Sequence, residues 1–198
     1  MKTIGVTGGI GSGKSTVCRR WEERGARVFY ADLEARRLME EDPAVRAEII
    51  TAFGEESYAG GRLNRPYLAA WVFGDAEQVA RINAIVHPRV FVAFERAKEQ
   101  AQRDGVRLLV HEAALIFEAG GEEHLDAVVV VDAPEAERIG RVAERDGVSP
   151  EQVRARIRHQ LPAEELRRRA DYVIDNSGSE EALREEVALL VRKLKVKG

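Results

Sequence analysis

The sequence predicts a three-layer α/β fold: a parallel sheet of five strands, a helical insertion after the second strand and a second helical segment after the fourth. Three observations point there. Short apolar, β-branched runs alternate with helix-patterned stretches. The runs at 106–111 and 127–131 are apolar nearly throughout, as strands covered on both faces are. The two long gaps, 33–100 and 134–170, carry helix signals and no strong strand pattern.

Each element has its own signal. Residues 2–7 form an apolar strand that runs straight into Gly8-Gly9-Ile10-Gly11-Ser12-Gly13, and residues 14–24 place Val17, Cys18 and Trp21 at helical spacing before Gly25 stops the helix. Further strands are expected at 27–31, 106–111, 127–131 and 172–175. Within 33–100, Asp42-Pro43 reads as an N-cap followed by proline at the first helical position. Asn64-Arg65-Pro66 and Asp75 mark further starts, and Pro88 is expected to open an amphipathic helix to about Arg103. Within 134–170, Arg138, Arg141, Arg145, Arg154, Arg156, Arg158, Arg167, Arg168 and Arg169 crowd short helices broken by Gly147 and Pro162. Those arginines read either as solvated faces laced by i,i+4 ion pairs or as a phosphate-facing surface.

Composition narrows the class. The chain has 198 residues, 44% hydrophobic and 33% charged, which fits neither a disordered nor a fibrous protein. One domain spanning 1–198, with subdomains inserted at 33–100 and 134–170, suits that length. The net charge of −3 gives no global attraction to nucleic acid or to an anionic membrane. Cys18 is the single cysteine, and His87, His111, His124 and His159 show no zinc-type spacing with it. No apolar run approaches the ~20 residues of a membrane span, and the early glycines leave no room for a signal-peptide core. The expectation is a cytoplasmic protein with no nucleic acid, no membrane and no obligate protein partner.

The chemistry begins at Gly8–Ser15, which matches G-x-x-x-x-G-K-[ST] between a strand and a helix. Glycines let successive N–H groups point inward as an anion nest, and the helix beginning at Lys14 adds positive potential. A triphosphate is the natural guest, with Lys14 on its β- and γ-phosphates and the Ser15 hydroxyl a ligand of Mg²⁺. Phosphoryl transfer also needs an acid near the acceptor or the metal. Asp32, Glu112 and Asp132 each follow a strand at its carboxyl edge, where ligands of open α/β sheets bind. Asp132 also reads as the N-cap of a helix opened by Pro134, and Asp32 as the cap of a helix from Leu33.

Taken in order, Thr7 through Thr16, Tyr30-Ala31-Asp32, Ile82-Asn83, His87-Pro88, Leu115-Ile116-Phe117-Glu118, Arg141 with Arg145-Asp146, and Ala170 through Asn176 resemble the dephospho-coenzyme A kinase family along almost the whole chain. Ala113-Ala114 departs from it, since the family has a proline before its paired leucines. The resemblance implies a P-loop NTPase fold of the nucleoside-monophosphate-kinase-like class and transfer of the γ-phosphoryl group of ATP, with Mg²⁺, to the ribose 3′-hydroxyl of dephospho-coenzyme A. It implies that Gly9, Ile10, Gly11, Ser12, Gly13, Lys14, Ser15 and Thr16 bind ATP, with Asn176 beside the adenine. Asp32 would be the base. Arg65, Asn83 and His87 on the inserted helices would face the acceptor, and Leu115, Ile116 and Phe117 would wall it. Arg141 and Arg145 would form the lid over the phosphates. Two alternatives remain at this point. One is a kinase of the same fold with another small acceptor; the other is a nucleotide switch, disfavoured because no Asn-Lys-x-Asp guanine reader is present.

Overall fold

The computed structural model describes residues 1–72 and 75–194. In chain order these form β1 (Lys2–Thr7), α1 (Lys14–Glu22), β2 (Arg27–Tyr30), α2 (Ala31–Glu41), α3 (Pro43–Phe53), β3 (Tyr58–Ala59), β4 (Arg62–Leu63), α4 (Arg65–Val72), α5 (Ala76–Arg103), β5 (Leu108–Glu112), β6 (Ala127–Asp132), α6 (Glu135–Asp146), α7 (Pro150–Ile157), α8 (Ala163–Arg169), β7 (Tyr172–Asp175) and α9 (Glu180–Leu194). The chain divides into two compact units: one holds Met1–Tyr30 and everything from Lys98 onward, the other Ala31–Ala97.

The first unit is built on a five-stranded sheet of order β2-β5-β1-β6-β7. Every pairing in it is parallel. Strand alternation sends side chains to opposite faces. Ile4 and Val6 of β1 and Val129 and Val131 of β6 pack with Val17, Cys18 and Trp21 of α1 and with Leu183, Val187, Leu190 and Val191 of α9. Val128 and Val130 face the other way, onto Ile116, Phe117 and Leu166. Covering on both faces explains why β6 is valine throughout its centre. Strand β5 begins two residues later than its apolar run suggests, because the Val106 N–H bonds the Ala101 carbonyl (2.9 Å) and so belongs to the end of α5.

The second unit is helical except at one place. The Asp42 carboxylate caps α3 by accepting from the Ala44 and Val45 N–H groups (2.8 and 3.1 Å), and Asn64 caps α4 through the Tyr67 N–H (3.3 Å). The expectation of no strand within 33–100 is corrected by the antiparallel pair β3–β4. Gly60 and Gly61, both at positive φ, supply the two central residues of its turn. Arg46 holds the hairpin, its guanidinium 4.2 Å from the centre of the Tyr58 ring and bonded to the Gly61 carbonyl (2.9 Å). The expected helix start at Pro88 is also corrected: Pro88 lies inside α5, whose start is capped by Asp75 (2.9 and 3.2 Å to the Glu77 and Gln78 N–H groups). A proline there removes one N–H donor, and the other hydrogen bonds of a long helix tolerate the loss.

One consequence for stability follows from β5. His111 packs its ring 5.5 Å from that of Phe29, and burial pushes its imidazole pKa down to about 4. Between the ordinary value of 6.5 and about 4, the unfolded chain binds a proton that the folded chain refuses. Stability is therefore lost as pH falls through that window, by up to about 3 kcal/mol from this group. Urea unfolding at pH 7 and pH 4.5 should show a smaller pH effect in His111→Leu than in the wild type; equal slopes would contradict the assignment.

Candidate functional site

The glycine loop leaves β1 at Thr7, whose hydroxyl donates to the Ala114 carbonyl (3.3 Å), and ends where α1 begins at Lys14. The Ser12 N–H closes a turn onto the Gly9 carbonyl (3.0 Å). Two glycines are required by what surrounds them. Gly8 has φ +144°, and a Cβ there would collide with the Val131 carbonyl; Gly13 has φ +100°, and a Cβ there would collide with the Asn176 carboxamide. That carboxamide donates from Nδ2 to the Ser12 carbonyl (2.7 Å), while the Asn176 N–H donates to the Asp132 carbonyl (2.7 Å). The carboxyl ends of β6 and β7 therefore wall the loop.

Three features suit this loop to a polyphosphate. No side chain caps the first turn of α1, where the Thr16 N–H bonds the Gly13 carbonyl (3.0 Å), so no capping side chain competes with an anion at the helix start. The Ser12 hydroxyl is fully buried with no hydrogen-bond partner in the protein. The Lys14 ammonium folds over the Gly8 and Gly9 carbonyls (2.9 and 3.4 Å), next to the cradle. Ser15 follows it in the first turn with its side chain exposed. The buried Glu112 ends β5, in register with Val6 of β1. Among the described residues no three of His, Cys, Asp and Glu cluster as metal ligands, so a Mg²⁺ ion fits this donor set only when phosphate oxygens complete it. Cys18, below in α1, is no nucleophile: burial and the charges of Glu112 and Glu22 push its thiol far above the ordinary range.

Helices α6, α7 and α8 carry the arginines. Arg141 donates to Glu137 (2.9 Å) and to the Asn176 carbonyl (3.1 Å), which brings it to the same turn that braces the loop. Arg145 pairs with Asp146 (2.7 Å), which also receives Arg156 (2.8 Å). The expected capping role of Asp132 is corrected. No side chain caps α6, and Asp132 instead receives Arg167 of α8 (Nε at 2.6 Å). Pro134 already sets the helix entry, which leaves that carboxylate free for the ion pair. Two further residues touch the loop: Arg138, one of the arginines crowded in 134–170, and Gln160, which pattern reading did not single out. Arg138, buried, lies against Gly9 and donates to the Ala133 carbonyl (3.1 Å), and Gln160 accepts the Ile10 N–H (2.8 Å). Gln160 neither breaks a periodicity nor belongs to a motif, so only its hydrogen bond identifies it.

In the second unit Asp32 is the second residue of α2, inside the helix rather than capping one that starts at Leu33. It lies close enough to His87 for its charge to raise the imidazole pKa, against the larger lowering by partial burial. Asn83 and His87 share one face of α5 at i,i+4 spacing. Arg65 is elsewhere, paired with Glu40 (3.0 Å), two turns along α2 from Asp32. Back in the first unit, Ile116 and Phe117, expected to wall an acceptor, are core residues, and only Leu115 is left partly exposed. A cavity of about 820 Å³ lined by Trp21, Ala26 and Leu108 lies at the opposite, amino-terminal edge of the sheet, away from the loop.

Comparison with known proteins agrees with this geometry. The dephospho-CoA kinase family model matches residues 2–182. A Salinibacter ruber dephospho-CoA kinase is 62% identical over 191 residues, covering 96% of each chain. A crystal structure from Thermus thermophilus superimposes with a TM-score of 0.82 at 38% identity over 98% of each chain. A Campylobacter jejuni dephospho-CoA kinase does so at 0.64 and 25%, covering 100% of this chain and 98% of its own.

The wall at Asn176 makes a prediction about Gly13. Gly13→Ala and Gly25→Ala both place a side chain at positive φ, at a cost of about 1–2 kcal/mol, but the added Cβ at Gly25 meets nothing within 4 Å. Thermal unfolding should therefore show a larger loss for Gly13→Ala. An equal loss in the two variants would mean that Asn176 does not constrain the loop.

Proposed function

We propose residue roles from one premise: this chain belongs to the dephospho-CoA kinase family. It is an ATP-dependent kinase that moves the γ-phosphoryl group of ATP onto the ribose 3′-hydroxyl of dephospho-CoA, the last step of coenzyme A biosynthesis. The observation that carries the roles is the walled, side-chain-free amide cradle at the start of α1, with the Lys14 ammonium beside it. Backbone groups from Gly9 to Thr16 hold the phosphates, and Lys14 moves from the Gly8 and Gly9 carbonyls onto the β- and γ-phosphates. The Ser15 hydroxyl, with the buried Glu112 carboxylate at the carboxyl end of β5, would hold Mg²⁺, which would supply positive charge to the transferring phosphoryl group.

Asp32 orients the acceptor hydroxyl and takes its proton. The segment 33–100 is the acceptor subdomain, in which Asn83, His87 and Arg65 bind dephospho-CoA. The lowered pKa of His87 keeps that imidazole neutral and able to accept a hydrogen bond at neutral pH. Leu115 supplies the apolar contact assigned above to Leu115 and Ile116, since Ile116 is committed to the core. The segment 134–170 is the lid. Arg141 and Arg145 leave their exposed carboxylate partners for the transferring phosphoryl group, an exchange that sacrifices only the ~0.2–1 kcal/mol typical of surface pairs. Asn176 lies beside the adenine. Cytoplasm is the proposed location; among the described residues no helix is long and apolar enough to cross a membrane.

Two experiments test these roles. Asp32→Asn keeps the shape and the favourable position in the first turn of α2, so affinities for ATP and dephospho-CoA should stay near wild type while kcat falls by roughly 10² or more. A kcat within a few-fold of wild type would remove Asp32 as the base. Arg141→Ala and Arg145→Ala should lower kcat more than they raise the KM for dephospho-CoA, because the charge they meet develops in the transition state. A pure KM effect would return those arginines to the role of solvated ion pairs.

A further inference from the structure

We propose that Gln160, in the connection between α7 and α8, is a positioning residue for phosphoryl transfer: its carboxamide fixes the Gly9–Ile10 peptide and through it the phosphate loop. The proposal rests on the reading of that loop as the ATP site. The Ile10 N–H donates to Gln160 Oε1 at 2.8 Å, across 150 residues of sequence. A backbone N–H can only donate, so the amide must present its oxygen here, and the orientation is settled by the chemistry.

The importance of this bond lies in what shares the peptide. Carbonyl and N–H of one peptide unit are held in a plane. The Gly9 carbonyl at the other side of this unit accepts the Ser12 N–H (3.0 Å) and the Lys14 ammonium (3.4 Å). Gly9 has no Cβ to restrict ψ, so the tilt of the unit is set by the bonds at its two ends. Gln160 supplies one end; the turn of the loop and the resting place of Lys14 supply the other. Without that acceptor the Ile10 N–H loses its protein partner, and the carbonyl that organises Ser12 and Lys14 is free to tilt with it.

Gln160 is itself well anchored. Its N–H bonds the Ile157 carbonyl (3.0 Å), and the N–H of the next residue, Leu161, bonds the Glu118 carboxylate (3.0 Å). The Ile10 side chain packs against the cluster of Ile139 and Val142 of α6 and Val153 of α7. Backbone and side chain of Ile10 are thus both held by the arginine-bearing segment, which ties the tilt of the loop to the helices that carry Arg141 and Arg145.

The test combines amide NMR with steady-state kinetics. In the nucleotide-free wild type the Ile10 amide should be protected from hydrogen exchange. Gln160→Leu, similar in size but without an acceptor, should lose that protection by about tenfold or more while amides of β1 keep theirs. It should also lower kcat/KM for ATP by about tenfold or more and leave the KM for dephospho-CoA within about twofold. Gln160→Glu restores an acceptor and should restore Ile10 protection. Wild-type kcat/KM for ATP in Gln160→Leu, or an equal loss toward both substrates, overturns the proposal, as does an unprotected Ile10 amide in the wild type. If Gln160→Leu does not fold, wild-type protection together with its loss in the shorter Gln160→Asn decides in favour, and protection retained in Gln160→Asn decides against. A wild-type protein that protects Ile10 yet transfers no phosphoryl group would fault the functional reading and leave the loop-positioning bond standing.

Discussion

The rest of this structure depends on how the glycine loop at the end of β1 is held open in a fixed shape. Within residues 8–13 the Ser12 N–H closes a single turn onto the Gly9 carbonyl. The remaining groups are tied by neighbours. The Ser12 carbonyl is held by Asn176, the Ile10 N–H by Gln160, the Gly8 and Gly9 carbonyls by Lys14, and Gly9 lies against Arg138. Apart from Lys14 of α1, these ties come from the carboxyl ends of the parallel strands and from the segment α6 to α8, so the sheet order β2-β5-β1-β6-β7 is what delivers them. With β1 in the centre, its loop is flanked by the ends of both neighbours.

The arginine-rich segment fits the same logic. A net charge of −3 hides a strongly basic stretch many of whose members meet a carboxylate, Arg141 that of Glu137, Arg145 and Arg156 that of Asp146, Arg167 that of Asp132 and Arg168 that of Glu165. Exposed pairs of this kind contribute little to stability. Arg138 is the exception, buried at 5% exposure against the loop and bonded to the Ala133 carbonyl, and its role is to pack.

Much of this was legible in the residues. The strands at 2–7 and 172–175 and the helix starts at Asp42, Asn64 and Asp75 were readable because apolar alternation, N-capping side chains and early prolines are local signals. The glycine loop was readable because its chemistry is compressed into eight consecutive positions. What could not be read was decided at long range. Pro88 looked like a start but lies within a helix long enough to carry it. Ile116 looked like a candidate wall until Val128, Val130 and Leu166 enclosed it. Asp132 looked like a cap until Arg167 arrived from 35 residues away. Gln160 carried no signal at all, since its partner is a backbone N–H that no sequence pattern displays.

As a dephospho-CoA kinase, the chain transfers phosphate to a ribose hydroxyl and does not merely hydrolyse ATP to reset a conformation. Following ATP, Mg²⁺ and dephospho-CoA with the wild-type enzyme by ³¹P NMR tests it most directly. The account predicts a new phosphomonoester resonance on the ribose 3′ position, growing in step with ADP and with little inorganic phosphate. ADP and inorganic phosphate accumulating together while dephospho-CoA stays unmodified would contradict it.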